Sequence, residues 1–280
     1  MDQLLIEMLN ALGDGAQGQV GGLLQSPEDY NPALYAAAQA IHNGAVKPVT
    51  AIVLAIMSVL MLAEISARVD GDRELGVKMV AAAMFKIALT IIVVQNAMLV
   101  LEAINAVTTS IAQAVDKTAI ATPEASSVRL GDQLADKVKD AGTVKQLGLL
   151  LVVFLPWLVA ETVGVVGTVL VFVRFLQLYM LTAFSSLPVA FFGHPDTKSM
   201  AIGYLKRYAT TALQGVMLLL AFKLYQALMS GWLTGNVHYD NGDIFKFMVT
   251  SFGHLLVGPL VLGFLLVGTS GLAKAIVGEG

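Results

Sequence analysis

The sequence predicts an all-α integral membrane protein with five or six transmembrane helices, plus amphipathic surface helices at the N-terminus and in mid-chain. Hydrophobic residues make up 56% of the 280 residues and charged residues only 13%, and the mean hydropathy is +0.75. An ordinary soluble domain carries about 25% charged residues. A soluble chain of this length could not hide so much apolar surface, whereas a lipid bilayer accommodates it.

The N-terminal segment, residues 1–45, is predicted to hold two short amphipathic helices joined by the Gly-rich linker GDGAQGQVGG. The first helix covers residues 2–12, and its apolar face is formed by Leu4, Leu5, Met8, Leu9 and Leu12. The second begins at Pro32, behind Asn31 as N-cap, and ends near Gly44. Because neither helix is long enough to span, we expect both at the membrane surface or against a neighbouring subunit.

The next segment, residues 46–107, is predicted to hold the first pair of transmembrane helices. Pro48–Ile65 is apolar as far as Glu64, which is long enough for a hydrocarbon core about 30 Å thick. The second span, Met79–Val107, is unusually long and contains five polar or charged side chains: Lys86, Gln95, Asn96, Glu102 and Asn105.

Residues 108–145 are predicted to form a polar loop that contains an amphipathic helix. In SSVRLGDQLADKVKDAG, one side is lined by Leu130, Leu134, Val138 and Ala141. The charged residues on the remaining surface sum to zero. That balance favours a surface helix or a helix that faces a partner, because an anchor for anionic lipid would be basic.

The C-terminal segment, residues 146–280, is predicted to be a transmembrane bundle. Residues 146–192 are almost continuously apolar, and as one helix they would be roughly 70 Å long, too long for one crossing. Either the chain forms a tight hairpin at Gly164–Gly167, or one crossing is followed by a helix in the interface. Two further spans, Thr211–Trp232 and Phe245–Val267, complete the bundle.

The orientation depends on the number of crossings. The connection at 193–210, with Lys198, Lys206 and Arg207, is the best cytoplasmic candidate by the positive-inside rule. Five spans with the N-terminus outside satisfy that rule and the acidic N-terminal segment. Six spans would put both termini on the same side, and the five basic residues of the loop at 108–145 favour that loop inside.

Ionisable residues within spans are costly and are functional candidates by default. Here they are Lys86, Glu102, Glu161 and Arg174. If the hairpin forms, Glu161 and Arg174 lie at similar depth and can pair; alternatively they lock two helices together or reach the interface. For Glu102, which lies near the end of its span, the alternative is a position in the membrane interface without a function of its own. Gln95, Glu102 and Asn105 are predicted to share one helical face.

The sequence offers no pattern that would support catalysis. It has no cysteine, which excludes thiolate metal sites and cysteine nucleophiles, and its four histidines show no ligand spacing. No Walker A, nucleophile-elbow or HExxH motif occurs. We therefore expect no enzymatic activity, no cofactor and no metal.

The stretches VRFLQLYMLTAFSSLPVAFFG at 173–193 and YLKRYATTALQGVMLLLAFKLYQAL at 204–228 resemble elements of the TrbL-like polytopic membrane subunit of conjugative type IV secretion systems, in the form carried by Gram-positive mobile elements. The first has the pattern residues Arg174, Tyr179, Ala183 and Pro188. The second has a basic start and a Gln-Gly pair within the span: Lys206, Gln214 and Gly215. With weaker patterns upstream, the resemblance covers about residues 30–270.

The resemblance implies a non-enzymatic channel component in the cytoplasmic membrane, in contact with membrane lipid. It would assemble with other channel subunits, with secretion ATPases and with copies of itself, and would help pass single-stranded DNA or protein. The loop at 108–145 would correspond to an extracytoplasmic loop, which favours five spans with the N-terminus outside. Cations facing a DNA path would come from Lys86, Arg174, Lys206 and Arg207, although the last two equally serve as topology signals.

Two other classes of function compete with this one. A small-solute transporter or channel would usually show internal repeats and broken helices near the membrane midplane. The sequence shows no clear repeat, which weighs against a carrier. A phage or defence-related pore has no positive feature in the sequence.

Overall fold

The computed structural model of the protein describes residues 2–14, 21–68, 73–118, 130–235 and 243–279. Every regular element in these ranges is a helix and none is a strand, which confirms the predicted all-α class. Six of these helices are long and apolar enough to cross a membrane: Pro32–Ala67, Gly76–Gln95, Ala97–Lys117, Thr143–Ala183, Pro195–Met229 and Ile244–Val277. The chain is a multi-pass membrane protein.

In the first half of the chain, three long helices lie between short ones. They are α1 (Asp2–Asp14), α2 (Pro27–Tyr30), α3 (Pro32–Ile41), a π-helical turn (His42–Val46), α4 (Lys47–Arg68), α5 (Arg73–Gln95), α6 (Ala97–Lys117) and α7 (Leu130–Asp140).

The second half is dominated by three long helices. In order, the elements are α8 (Thr143–Ala183), α9 (Ser186–Ala190), two 3₁₀ turns (Phe191–Gly193 and Pro195–Thr197), α10 (Lys198–Gly235) and α11 (Ile244–Val277).

The chain divides into two compact units, each assembled from three stretches of sequence. The first unit comprises Met1–Leu24, Ile111–Val173 and Gly215–Gly271, and the second comprises Gln25–Ser110, Arg174–Gln214 and Leu272–Gly280. Each unit draws on more than one of the four segments proposed from the sequence, and that four-part division stays a prediction.

The hairpin suggested for residues 146–192 is wrong, because α8 continues from Thr143 to Ala183 without interruption. The glycines at 164 and 167 have helical backbone, and the only glycine with positive φ among the described residues is Gly278. Gly167 instead allows close packing: a Cβ there would lie 3.2 Å from the ring of Phe222. In an apolar environment the helix keeps its own hydrogen bonds satisfied, so a glycine pair alone does not break it.

The second N-terminal helix was predicted to end near Gly44, but the helical path continues past this residue. The π-helical turn His42–Val46 joins α3 to α4 without a break in the helical path. The predicted start is confirmed, because the Asn31 side chain accepts a hydrogen bond from the backbone N–H of Leu34 and Pro32 occupies the first turn. The short helix is therefore the first part of a long membrane helix.

The long span predicted at Met79–Val107 is divided at Asn96, and its helical path extends to Lys117. The hydrogen-bond ladder continues on both sides of the break, since Asn96 N–H donates to Ile92 O and Val100 N–H donates to Asn96 O. The Asn96 amide also donates to Ile92 O at 2.8 Å. A side chain that inserts into the ladder in this way is a known cause of a kink.

The two predicted amphipathic helices, α1 and α7, cover each other's apolar faces in the first unit. Their buried residues form one core with α8 and α11: Leu5, Met8, Leu9, Leu12, Leu130, Leu134, Val138, Leu149, Val153, Ile244, Met248 and Leu255. The Asn10 amide donates to Asp132 Oδ1 at 3.1 Å, and its oxygen accepts from Asp132 N–H at 3.2 Å. A side chain at Gly131 would overlap the carbonyl oxygen of Ile6, so only glycine permits this close approach.

An ion pair joins the beginnings of α8 and α11. Lys145 Nζ lies 2.9 Å from Asp243 Oδ2, and Asp243 Oδ1 accepts a hydrogen bond from Phe245 N–H at the start of α11. The hydrogen bond from Lys145, together with that from the Phe245 backbone, holds the pKa of Asp243 below its usual range. Both side chains are about half exposed, so the pair orients the two helix ends more than it stabilises them.

We predict that spin labels on cysteines introduced at Leu158 and Val173 will report a separation of about 22 Å in the purified protein, because the two residues are fifteen positions apart in one helix. Both side chains are exposed, and the absence of native cysteine makes the labelling specific. Electron–electron double resonance measures this distance. A hairpin would bring the two positions to about one interhelical spacing, roughly 8–10 Å, and singly labelled variants exclude distances between molecules.

A buried polar network as the candidate functional site

Arg174, on α8, belongs to the second unit and is only 6% exposed. Its Nε donates to Thr211 O and its Nη2 donates to Ala212 O, each at 3.2 Å. The guanidinium carbon lies 4.7 Å from the centre of the Phe175 ring. The third nitrogen, Nη1, is buried with no hydrogen-bond partner among the described residues. Arg174 therefore fixes α8 against α10 through two successive backbone carbonyls.

The predicted pairing of Arg174 with Glu161 is wrong. In the continuous helix α8 the two residues are thirteen positions apart, about 20 Å along the axis. Glu161 is exposed, on the side of α8 opposite Val163, which packs against Gly263 of α11. Of the two alternatives for Arg174, the structure supports the one in which it locks two helices together.

Tyr208 connects three helices in the same unit. Its hydroxyl accepts a hydrogen bond from the Asn105 amide at 2.7 Å and lies 3.4 Å from Thr182 Oγ1. Tyr208 is fully buried and Asn105 is 8% exposed. Because buried polar groups in an apolar environment need partners, this contact fixes the register of α6, α8 and α10.

Two contacts attach α2 to the part of α8 that carries the pattern of the sequence resemblance. The Tyr179 hydroxyl donates to Pro27 O at 2.8 Å. The Tyr30 ring stacks on Phe175, with centres 3.8 Å apart and planes 7° apart. The pattern residue Tyr179 is thus a docking point for the N-terminal chain on α8, which the sequence pattern alone did not indicate.

Two further contacts attach the π-helical turn and α4 to the junction between α8 and α9. His42 Nδ1 lies 3.2 Å from Ser185 Oγ, and Thr50 Oγ1 lies 2.9 Å from Ser186 Oγ. All four side chains are buried. The small polar residues that precede Pro188 therefore bind neighbouring helices, and Pro188 itself is half-buried on α9.

The predicted shared face of Gln95, Glu102 and Asn105 does not form. Gln95 ends α5, whereas the other two lie on α6, and the break at Asn96 separates the helices. Gln95 and Glu102 are exposed and Asn105 is buried. Glu102 instead accepts a hydrogen bond from the Tyr35 hydroxyl at 3.2 Å.

The four predicted cations occupy different environments. Lys206 Nζ donates to Gly278 O at 2.8 Å, and Arg207 Nη1 lies 3.4 Å from Glu279 Oε1, so both hold the chain just after α11. Arg174 is buried, and Lys86 is half-buried on α5. Within the described residues, the structure does not bring these cations together on one surface.

The remaining pattern residues and one overlooked lysine lie further along α10. Gln214 is half-buried and Gly215 is buried. Lys223, in the first unit, donates to the backbone oxygens of Val115 and Asp116 and pairs with Asp116 Oδ1 at 3.2 Å. It neutralises the C-terminal end of α6. Its position as a lone cation within a predicted span was the signal that could have identified it.

Metal binding finds no support in the described part of the chain, where no group of three or more His, Asp or Glu side chains could hold an ion. The network consists of amides, hydroxyls, one guanidinium and backbone carbonyls. These groups position helices, and they define a polytopic membrane protein whose spans are joined by buried hydrogen bonds.

In a comparison with protein families, the sequence model of the TrbL/VirB6 plasmid conjugal transfer-like family matches residues 15–186. The protein belongs to this family and is a component of conjugal transfer. The matched range ends within α9, so it includes Arg174 and Tyr179, whereas Pro188 and the stretch 204–228 that prompted the resemblance lie beyond it. Comparison with curated proteins and with solved structures gives no match.

We predict that Tyr208→Phe will lower the stability of the purified protein by about 1–3 kcal/mol, because it leaves the buried Asn105 amide without its acceptor. Thermal unfolding in detergent measures the loss. Tyr35→Phe is the matched control and should cost less, since its acceptor Glu102 is exposed. Adding Asn105→Leu to Tyr208→Phe should recover part of the loss; strictly additive effects would contradict a direct pair.

Proposed function

We propose that the protein is a non-enzymatic component of the membrane channel of a conjugative type IV secretion system, located in the cytoplasmic membrane, where it helps translocate single-stranded DNA or protein. The observation that carries this proposal is the family match over residues 15–186 in a chain with six helices long enough to span. Family members are components of conjugal transfer and act within a complex of several subunits.

The buried network supports a scaffolding role within the channel. Buried hydrogen bonds of Arg174, Tyr208 and Asn105 join α6, α8 and α10. Arg174 Nη1 has no partner among the described residues, but the other hydrogen bonds of the network run between helices, and such bonds restrict the helices to one arrangement. Such a fixed framework suits a subunit that holds a passage open or positions partners.

The unequal burial of the helices supports assembly with other subunits, including secretion ATPases and further copies of this chain. In the most apolar window of Pro195–Met229, 50% of the residues are buried, against 11% in Pro32–Ala67 and 17% in both Gly76–Gln95 and Ala97–Lys117. The latter three helices expose most of their surface to lipid or to partners, and we propose that partner subunits pack there.

Contacts within each unit favour five crossings over six. A reversal between antiparallel helices needs a loop of about 2–5 residues, and only Asn96 separates α5 from α6, so we count them as one kinked crossing. Five crossings put the N-terminus and the 118–142 connection on one side, as the packing of α1 on α7 requires. They also put the end of α4 beside the 184–197 connection, where His194 Nε2 lies 3.3 Å from Glu64 Oε2.

The positive-inside rule then orients the chain. Lys198, Lys206 and Arg207 follow the 184–197 connection, which we propose is cytoplasmic. The chain end at Glu279, which pairs with Arg207, lies on the same side. The N-terminus and α7 are then extracytoplasmic, in agreement with the position of the extracytoplasmic loop in the family.

Single cysteines introduced at Gln3 and Lys139 should both react with a membrane-impermeant maleimide in intact cells, whereas a cysteine at Lys198 should react only after permeabilisation. All three positions are exposed. Mass shift on a gel measures the reaction, and labelling of all three after permeabilisation is the control. Labelling of position 3 without position 139 would require six crossings.

Four cations remain candidates for contact with the phosphates of a transferred strand: Lys86, Arg174, Lys206 and Arg207. Arg174 is the least accessible, because it is buried and already donates to two carbonyls. Arg207 is the most accessible: its side chain is 45% exposed and its pair with Glu279 is long, at 3.4 Å. Exposed pairs of this kind are worth about 1 kcal/mol or less and exchange readily.

Deletion of the gene in a donor strain should reduce plasmid transfer to the background seen without a channel, and the wild-type gene in trans should restore it. Transconjugants per donor measure the effect. An unrelated plasmid with its own complete transfer system provides the control, because its unchanged transfer excludes a general membrane defect. Undiminished transfer of the first plasmid would contradict the proposed function.

A further inference from the structure

An open groove of about 370 Å³ lies between α8 and α10 in the second unit. Its walls are two stripes at helical spacing, and α9 closes one end. One stripe is Gln177 and Leu181 on α8 and Phe184 just after it, with Met180 beside them, and the α10 stripe is Tyr204, Arg207 and Thr211. The volume falls within the roughly 300–1,000 Å³ of ligand pockets.

The groove is apolar and lies within spanning segments. Met180 and Phe184 are 60% and 52% exposed, so they present large apolar surface into the opening. The Tyr204 hydroxyl donates to Leu181 O at 2.7 Å, which satisfies the polar end of its side chain. Both helices belong to candidate membrane spans, where the material available to fill such a groove is hydrocarbon.

One residue of this otherwise uncharged lining, Arg207, is a cation. Arg207 is the only charged residue among the described lining residues, and its Nη1 contacts a carboxylate oxygen of Glu279 at 3.4 Å. The neighbouring Lys206 donates to Gly278 O. The side chains of Lys206, Arg207 and Glu279 together leave one positive charge in excess. The contact with Glu279 also demonstrates that an anionic oxygen fits against this guanidinium.

We propose that this groove binds an anionic phospholipid, with an acyl chain along Met180 and Phe184 and the phosphodiester on Arg207. The leaflet is the one on the side of the membrane that carries Lys198, Lys206 and Arg207. Basic sites between transmembrane helices recognise anionic headgroups through the same combination of apolar wall and cation. Glu279 competes with the phosphate for Arg207, so the protein carries its own antagonist of lipid binding.

The test measures lipid retention by the purified full chain. The protein is incubated in mixed micelles that contain equal amounts of phosphatidylglycerol and phosphatidylcholine, washed in lipid-free detergent, and analysed by mass spectrometry. We expect phosphatidylglycerol to be retained in about fivefold preference, the ratio that one exposed ion pair supplies. Arg207→Gln should abolish the preference, and Glu279→Gln should increase it.

A second variant tests the groove independently of the charge. Met180→Trp fills the opening and should reduce retention of both lipids, whereas Met200→Trp is the matched control, since Met200 is 58% exposed and lies outside the lining. Lys198→Gln is the control for loss of a nearby exposed cation and should retain the preference.

Three results would overturn the proposal. Equal retention of the two lipids by the wild-type protein would remove the anionic specificity. An unchanged preference in Arg207→Gln would remove the assigned cation, and wild-type retention by Met180→Trp would move the site elsewhere. If Met180→Trp instead releases a co-purifying protein and leaves lipid retention unchanged, the groove is a protein contact and the lipid assignment fails. None of these readouts depends on conjugal transfer.

Discussion

The buried guanidinium of Arg174 is the constraint on which the second unit depends. An unpaired charge within a membrane span is costly, and among the described residues no carboxylate forms an ion pair with this one. The cost is offset by two backbone carbonyls of α10, at Thr211 and Ala212. Since those oxygens are fixed in the helix, α10 must lie beside α8 at one depth and one rotation. The contacts of Tyr208 with Asn105 and of Tyr179 with Pro27 then follow from the same register.

The first unit is held by a different force. There α1 and α7 are amphipathic helices whose apolar faces need cover, and each supplies it for the other together with α8 and α11. This packing is hydrophobic and non-directional, but Asn10 and Gly131 give it a specific register. Because α1 and α7 must lie on one side of the membrane to meet, a local packing preference also constrains how often the chain crosses.

The predictions from sequence succeeded where a local property decided the outcome. The cap at Asn31, the amphipathic faces of α1 and α7 and the apolar spans depend on neighbours within a few residues. They failed where the outcome depended on a partner distant in sequence or on an uninterrupted series of backbone hydrogen bonds. Gly164 and Gly167 suggested a hairpin, yet the ladder of α8 continues through both. Glu161 and Arg174 had complementary charge, yet Arg174 is satisfied by carbonyls that carry no sequence signal. Lys223 could be noticed from sequence as a lone cation within a span, but its partners at the end of α6 could not.

The sequence by itself determined the solvent of this protein: 56% hydrophobic and 13% charged residues require a bilayer, and a bilayer requires helices, because every backbone group must be satisfied within its own segment. It also determined the family, whose model matches residues 15–186. Only the tertiary structure decided which helices meet, which charges are buried and where a groove opens beside Arg207. The physical reason is that backbone carbonyls and apolar faces accept any suitable partner, so their choice is made by the packing of the whole chain.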